Sequence, residues 1–332
     1  MKALQSELTP YVDELKITPR GNVIAVQNGP EGSPKIALAA HMDQIGFIVF
    51  NIDQAGWVRF RKIGGLVHRC IQGQKVMLDT SKGPVTGVVG VKPGHITLPS
   101  EANTVPAIEE MYIDIGARSR EEVELMGVKP GVPVTFAAAP IQLANGLIST
   151  PGVDDRAGVA AIVGIARSLR KENVKATIYY IGTVEEEIGL RGSEVALSGL
   201  DVDVAIAVDT FAAGLQPDIN MRDILYEVGK GPAIHVGEIG TGIRIASVQP
   251  HRWLTGVAER HGIPHQVGLM QGGTDSMSMM QTGGGIPSCT IGIPRRYSHS
   301  PIEVFDPKDL HNLTRILIAA IKEMDQYNPN RI

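Results

Sequence analysis

The sequence predicts an α/β fold: a mostly parallel sheet with helices on both faces, interrupted by an inserted β-rich domain. Three observations carry this reading. Apolar runs of strand length at 35–40, 176–183 and 202–208 alternate with segments of helical period. The 332 residues exceed one minimal domain, and 43% hydrophobic content allows a sizeable core. Between about residues 47 and 136 the texture changes to short strand-like runs (FIVFNI, WVRFRKI, KVMLD, VTGVVGV, MYIDIG, VTFAA) separated by Gly, Pro and Asp turns.

The elements follow in order. KIALAA (35–40) predicts a buried strand whose end presents His41. After the β-rich stretch, 156–170 carries Ala and Ile at helical spacing. ATIYYIGT (176–183) predicts a buried strand, 188–198 a helix, and VDVAIAV (202–208) a buried strand ending at Asp209. Residues 249–261 predict a helix, 289–293 a short strand, and 308–327 an amphipathic closing helix. The sequence contains no internal repeat and no low-complexity segment.

Composition narrows the function. The formal net charge of −4 is spread along the chain, with no Lys/Arg-rich run, so a nucleic-acid partner is not expected. No apolar run reaches about 18 residues, so no membrane span is expected. The opening MKALQSELTPYVDELK has charges where a signal peptide needs an apolar stretch. Cys70 and Cys289 are far apart and form no CxxC pair, which suits reduced thiols in a cytoplasmic protein.

The chemistry lies where strands end. His41 and Asp43 follow the first strand, and Asp154-Asp155 lie in a loop before a helix. Glu185-Glu186-Glu187 follow ATIYYIGTV, Asp209 ends VDVAIAV, and His299 lies in RRYSHSP after CTIGIP. Open α/β sheets bind ligands outside the carboxyl ends of their strands, so these side chains are expected to converge. Imidazole with carboxylate suits zinc, cobalt or manganese, and two cations about 3.5–4 Å apart need a shared carboxylate. Taken singly each element has an ordinary reading: His-x-Asp a surface pair, Asp154-Asp155 a helix cap, the Glu run a solvated helix start. The combination and its setting favour a metal site. Asp43, two residues beyond His41 on a strand, is placed to hold the imidazole.

These residues lie in stretches that resemble the M42 metallo-aminopeptidases, cytoplasmic glutamyl, leucyl and lysyl aminopeptidases that form tetrahedral particles. The stretches are AAHMDQIGFIV, IGG (63–65), GVDDRAG, TVEEEIGLRG, AVDT, GKGP (229–232), GGTDS (272–276) and IPRRYSHSP, in family order. The resemblance implies that His41, Asp154 and Asp209 hold one metal ion and Asp154, Glu187 and His299 the other, with zinc or cobalt as the metal. It implies Glu186 as general base, with Asp43 and Asp155 as carboxylates behind the ligands. It further implies a peptidase domain of residues 1–41 and 134–332 and a dimerisation domain of 42–133, with dimers assembling into a tetrahedral homododecamer that trims short peptides. Two departures stand out. Gln44 replaces the usual Glu, and the N-terminal helix is expected to be absent or shortened.

Weaker signals complete the reading. Asp275 in GGTDS is a helix cap by default, though the resemblance puts its loop near substrate. Arg222 and Lys230 follow Asp209 and predict an acid-accepting pocket, hence a preference for Glu or Asp N-termini. Met277–Met280 predict core packing more than a pocket. Gly237, Gly240 and Gly242 do not fit a dinucleotide fingerprint. His68, His95, His235, His251, His261, His265 and His311 lack the strand-end setting and read as surface or satisfied residues. No proposed ligand lies within the β-rich insertion, so the insertion is not expected to shape the metal site. The competing readings are a carboxypeptidase or N-acyl-amino-acid deacylase of the same metal class, and a scaffold without turnover. A glycosidase built on paired carboxylates leaves the two histidines unexplained.

Overall fold

The computed structural model describes residues 1–220, 222–240 and 242–327. The chain opens with α1 (Lys2–Leu8), β1 (Glu14–Ile17), β2 (Val23–Gln27) and β3 (Lys35–His41). It then forms β4 (Gly46–Ile52), β5 (Val58–Ile63), β6 (Lys75–Thr80), β7 (Gly83–Val89), β8 (Ile113–Asp114), α2 (Arg120–Leu125) and β9 (Pro133–Phe136). The return comprises β10 (Ile141–Gln142), β11 (Ile148–Ser149), α3 (Val153–Leu169), β12 (Thr177–Thr183), α4 (Arg191–Leu197) and β13 (Val204–Ala212). The last part holds β14 (Ala233–Ile239), β15 (Ile243–Ile245), α5 (Val248–Arg260), β16 (Gln266–Gln271), α6 (Asp275–Met279), β17 (Ser288–Arg296), β18 (Val304–Phe305) and α7 (Pro307–Lys322).

Among the described residues the main sheet has twelve strands, and its centre, β12-β3-β13-β17, is parallel. Strands added outside this centre, β1 and β2 on one side and β18, β11 and β10 on the other, pair antiparallel. Side chains of the central strands alternate between faces. Ile36, Leu38, Val204, Ile206 and Val208 pack in one core with α3, α5 and α7. Ala37, Ala39, Ala205 and Ala207 face the other way, where their small size lets the short helices α4 and α6 lie close. α7 starts cleanly because the Asp306 side chain accepts from Lys308 N at 2.9 Å and Pro307 takes the first turn.

The β-rich stretch closes into a barrel in the order β4-β5-β8-β7-β6-β9. It has its own core, including Phe47, Phe60, Leu78, Ile113 and Phe136, with the Phe47 and Phe60 rings edge-on at 4.8 Å. β9 straddles the 133/134 boundary expected from the sequence. The short α1 exists and buries Leu4 and Leu8 in the main core. β14, which sequence reading passed over, hides a polar pair within a buried strand: His235 Nε2 lies 2.8 Å from Glu238 Oε1. Gly237 lies inside this strand and β15 follows it, so the segment is no dinucleotide loop. None of the described helices is long and apolar enough to cross a membrane.

Candidate metal and catalytic centre

Strand register gathers the site. His41 pairs with Thr183 across β3 and β12, and Ala39 with Ala207 across β3 and β13. Two residues further on, Asp209 comes level with His41 and points to the same side. The Glu run leaves the end of β12 and divides. Glu185 takes a left-handed backbone (φ 58) and turns outward to Arg20 at 2.6 Å, while Glu186 and Glu187 turn in.

Asp154 sits between the two imidazoles. His41 Nε2 lies 2.9 Å from its Oδ1 and His299 Nε2 lies 3.2 Å from its Oδ2. Glu187 Oε2 is 3.6 Å from His299 Nε2, and Asp209 Oδ1 is 3.9 Å from His41 Nε2. Candidate ligand atoms of His41, Glu186 and Asp209 lie within 4.8 Å of one another, as do those of His41, Asp154 and Glu187. Each imidazole is oriented by a carbonyl, which can only accept. His41 Nδ1 donates to the Asp43 carbonyl at 3.0 Å, and His299 Nδ1 to the Gly65 carbonyl at 3.2 Å. Both Nε2 atoms therefore face the carboxylates, the arrangement a metal-binding histidine needs.

Two expectations change here. The Asp43 carboxylate is 3.7 Å from His41 Nδ1; its two oxygens instead accept from the backbone N–H of Glu186 and Glu187, both at 3.2 Å. Asp43 thus steadies His41 by its carbonyl and the backbone of Glu186 and Glu187 by its carboxylate. The insertion does shape the site, because Gly65, two residues beyond β5, holds His299. A Cβ at Gly65 would come 2.9 Å from His299 Nδ1. Asp155 keeps the capping role, accepting from Gly158 N at 2.9 Å.

Charge is concentrated and buried. Burial opposes ionisation of Asp154, but the Arg295 guanidinium and the two imidazoles outweigh it and hold the carboxyl well below its usual range. Burial, then the Asp209 charge, pushes Asp155 well up; burial, then Asp154, does the same to Asp209. Burial also raises Glu186 well above the usual range, helped by Asp209 and Asp275, and lifts Glu187 to about 7. For both histidines burial is outweighed by Asp154, and their pKa values rise. Asp155 Oδ2 and Glu187 Oε1 are buried without a hydrogen-bond partner. Unpaired buried carboxylates around two oriented imidazoles are a donor set that divalent cations fit.

The site faces a cavity of ≈ 430 Å³ lined by Asp154, Glu186, Glu187, Asp209, Arg295 and His299, and by residues 270–274, the end of β16 and the turn into α6. Asp275 does not line it: its carboxylate is buried behind, accepting from Thr183 Oγ1 at 2.6 Å and Ser193 Oγ at 2.7 Å. Arg222 is exposed and pairs with Asp223 at 3.6 Å, and Lys230 is exposed; neither lines the cavity. Met279 is core, as expected, and Met277 is buried beside it. Sequence reading missed Arg295 and Glu303, both buried at the centre. The signal for Arg295 was a pair of cations ending an apolar strand beside a carboxylate-rich site.

The profile of the M42 glutamyl aminopeptidase family matches residues 21–316. The chain belongs to the M42 peptidase family. It is a hydrolase of the aminopeptidase class. The lysyl aminopeptidase of Pyrococcus furiosus is 37% identical over 326 residues, 96% of this chain and 90% of that protein. The structure of aminopeptidase APDkam598 from Desulfurococcus kamchatkensis superposes with a TM-score of 0.92 at 35% identity, covering 97% of this chain and 88% of the other. A Pyrococcus horikoshii TET1 peptidase, described as able to assemble into a tetrahedron or a large octahedral shell, gives 0.86 at 31% identity, covering 97% and 93%.

Proposed function

We propose that this M42 peptidase is a dinuclear aminopeptidase that releases N-terminal residues from short peptides. The observation that carries the reading is Asp154, with one carboxylate oxygen toward each of two imidazoles. His41 and Asp209 would hold one divalent cation and Glu187 and His299 the other, Asp154 serving both, with zinc or cobalt suited to the donors. When bound, such a pair supplies Lewis-acid polarisation of the scissile carbonyl and acidifies water. Glu186, buried at the cavity wall, takes the proton of the attacking water and passes it to the leaving amine. Asp43 holds the backbone under Glu186 and Glu187, so base and ligand stay in register. The carboxylates lining the cavity receive the substrate's free α-ammonium, which restricts cleavage to the N-terminus.

The reading keeps an acidic N-terminal side chain as a substrate, with neither Arg222 nor Lys230 at the cavity to receive it. The family description is glutamyl and the Pyrococcus furiosus relative is lysyl. For assembly, the reading takes residues 42–133 as the dimerisation domain and a tetrahedral dodecamer as the particle. The barrel exposes Phe50, Val88, Val91, Ile96 and Leu98, apolar surface that suits self-association. Both cysteines are unpaired, which suits the cytoplasm.

The test compares a peptide with a free N-terminus against its N-acetylated form. The reading expects stepwise release from the first and none from the second. Equal cleavage of the blocked peptide would favour a deacylase or carboxypeptidase instead.

A further inference from the structure

The mechanism above leaves Arg295 without a role. Arg295 lies near the end of β17 and is 3% exposed. Its Nη2 contacts Asp154 Oδ2, and its Nε lies 3.4 Å from Glu303 Oε1. The same Asp154 oxygen faces His299 Nε2 at 3.2 Å, so it is the one a cation on the His299 and Glu187 side would use. The other oxygen, Oδ1, faces His41 at 2.9 Å and, among the described residues, accepts no hydrogen bond from a guanidinium. The two halves of the shared carboxylate are therefore unequal.

We propose that Arg295 acts as a resident cation on Asp154, weakening the ion position at His299 and Glu187 relative to the one at His41 and Asp209. The proposal rests on the two-ion reading. An oxygen already engaged by a guanidinium offers less negative potential to a second cation, and two like charges at close quarters repel. The guanidinium keeps its proton, so the competition persists at every working pH. Glu303 makes the arrangement a unit. Its Oε1 accepts from His299 N at 3.0 Å and its Oε2 from Asp154 N at 3.3 Å, so one carboxylate ties both ligands to the arginine. Among the described residues, Arg295 Nε and Nη1 have no hydrogen-bond partner. The group is held by charge more than by a full set of hydrogen bonds, and it can stay with Glu303 when Asp154 Oδ2 turns to an ion. Loading is consequently stepwise, and in the ion-free chain Arg295 neutralises part of the buried charge that ions would otherwise balance.

The experiment titrates chelated protein with Co²⁺ by calorimetry, in the wild type, Arg295→Met and Arg295→Lys. The wild type is expected to bind a first ion at least about 10-fold more tightly than a second, the size typical of groups behind metal ligands. Arg295→Met narrows the gap by tightening the weaker step, and Arg295→Lys, which keeps the charge, retains most of it. Melting temperature gives a second readout: Co²⁺ should raise it further in Arg295→Met than in the wild type, because the guanidinium no longer shares with the imidazoles in balancing Asp154 and Glu303. Two equal affinities in the wild type, an unchanged gap in Arg295→Met, or equal increments in melting temperature would overturn the proposal. If the ion-free Arg295→Met chain does not fold, the wild-type and Arg295→Lys titrations decide alone. Absence of Co²⁺ binding in every form would remove the two-ion reading itself, a different failure from two equal sites.

Discussion

Asp154 and Glu186 are both buried carboxylates a few ångströms from His41, yet their surroundings drive them apart. Arg295 and two imidazoles hold the Asp154 carboxyl well below its usual range, while burial raises that of Glu186 well above it. Divergent environments of this kind separate a ligand from a base. Glu186→Gln should accordingly keep its metal and lose on the order of 10²–10⁴-fold in kcat. Elemental analysis beside steady-state kinetics checks this; near-normal kcat in the loaded variant would remove Glu186 from the mechanism. Glu187 gives a pH signature. Its pKa rises from 4.5 to about 7, so across that window the folded chain holds a proton that the unfolded chain releases. Ion-free stability therefore falls as pH rises through the window. His41 and His299, also raised, act in the same direction. Metal affinity runs the opposite way, because the ion requires the ionised carboxylate. Melting curves of chelated protein from pH 4.5 to about 7 should show declining midpoints; a steady climb would contradict the assignment. At this scale the five ligand candidates and Glu186 were legible, because parallel strands display the residues at their ends. Arg295 was not, since a cation at a strand terminus ordinarily meets solvent. Arg222 and Lys230 follow Asp209 in sequence but do not line the cavity, whose wall beyond Ala212 comes from residues 270–274 and from Arg295, Ser298 and His299.

The elements divide the same way. Strands with uninterrupted apolar runs, β3, β12 and β13, were readable, and so were α3, α5 and α7 from their periodicity. β14 was not, because its buried His235 and Glu238 satisfy each other and break the hydrophobic signal. The contribution of the barrel was also hidden. It consists of a backbone carbonyl, which no side-chain pattern reports, meeting a ring 234 positions away in sequence. Gly65→Ala tests that contact. Its methyl would come 2.9 Å from His299 Nδ1 and turn the ring from Asp154. The expected result is a loss of about 10–100-fold in affinity for the ion on the His299 side, with the fold intact. Unchanged metal binding in Gly65→Ala would mean that the barrel carries the site only by tethering it.

The whole molecule places a closed barrel beside a parallel-centred sheet, with the candidate metal centre where the two meet. The change of texture between residues 47 and 136 predicted a β-rich module, but not its closure into a barrel, which depends on β9 pairing with both β4 and β6. Its exposed apolar residues bear on assembly. Light scattering should find a particle near twelve times the 35.5 kDa chain mass, and a fully active monomer would exclude the dodecamer while sparing the chemistry. The chemistry itself is tested most directly by returning Zn²⁺ or Co²⁺ to chelated protein, with bound ions counted by elemental analysis while aminopeptidase activity is followed. The account predicts no turnover in the ion-free chain and full turnover once about two ions are bound per chain. Full activity in a preparation shown to contain no metal would contradict it.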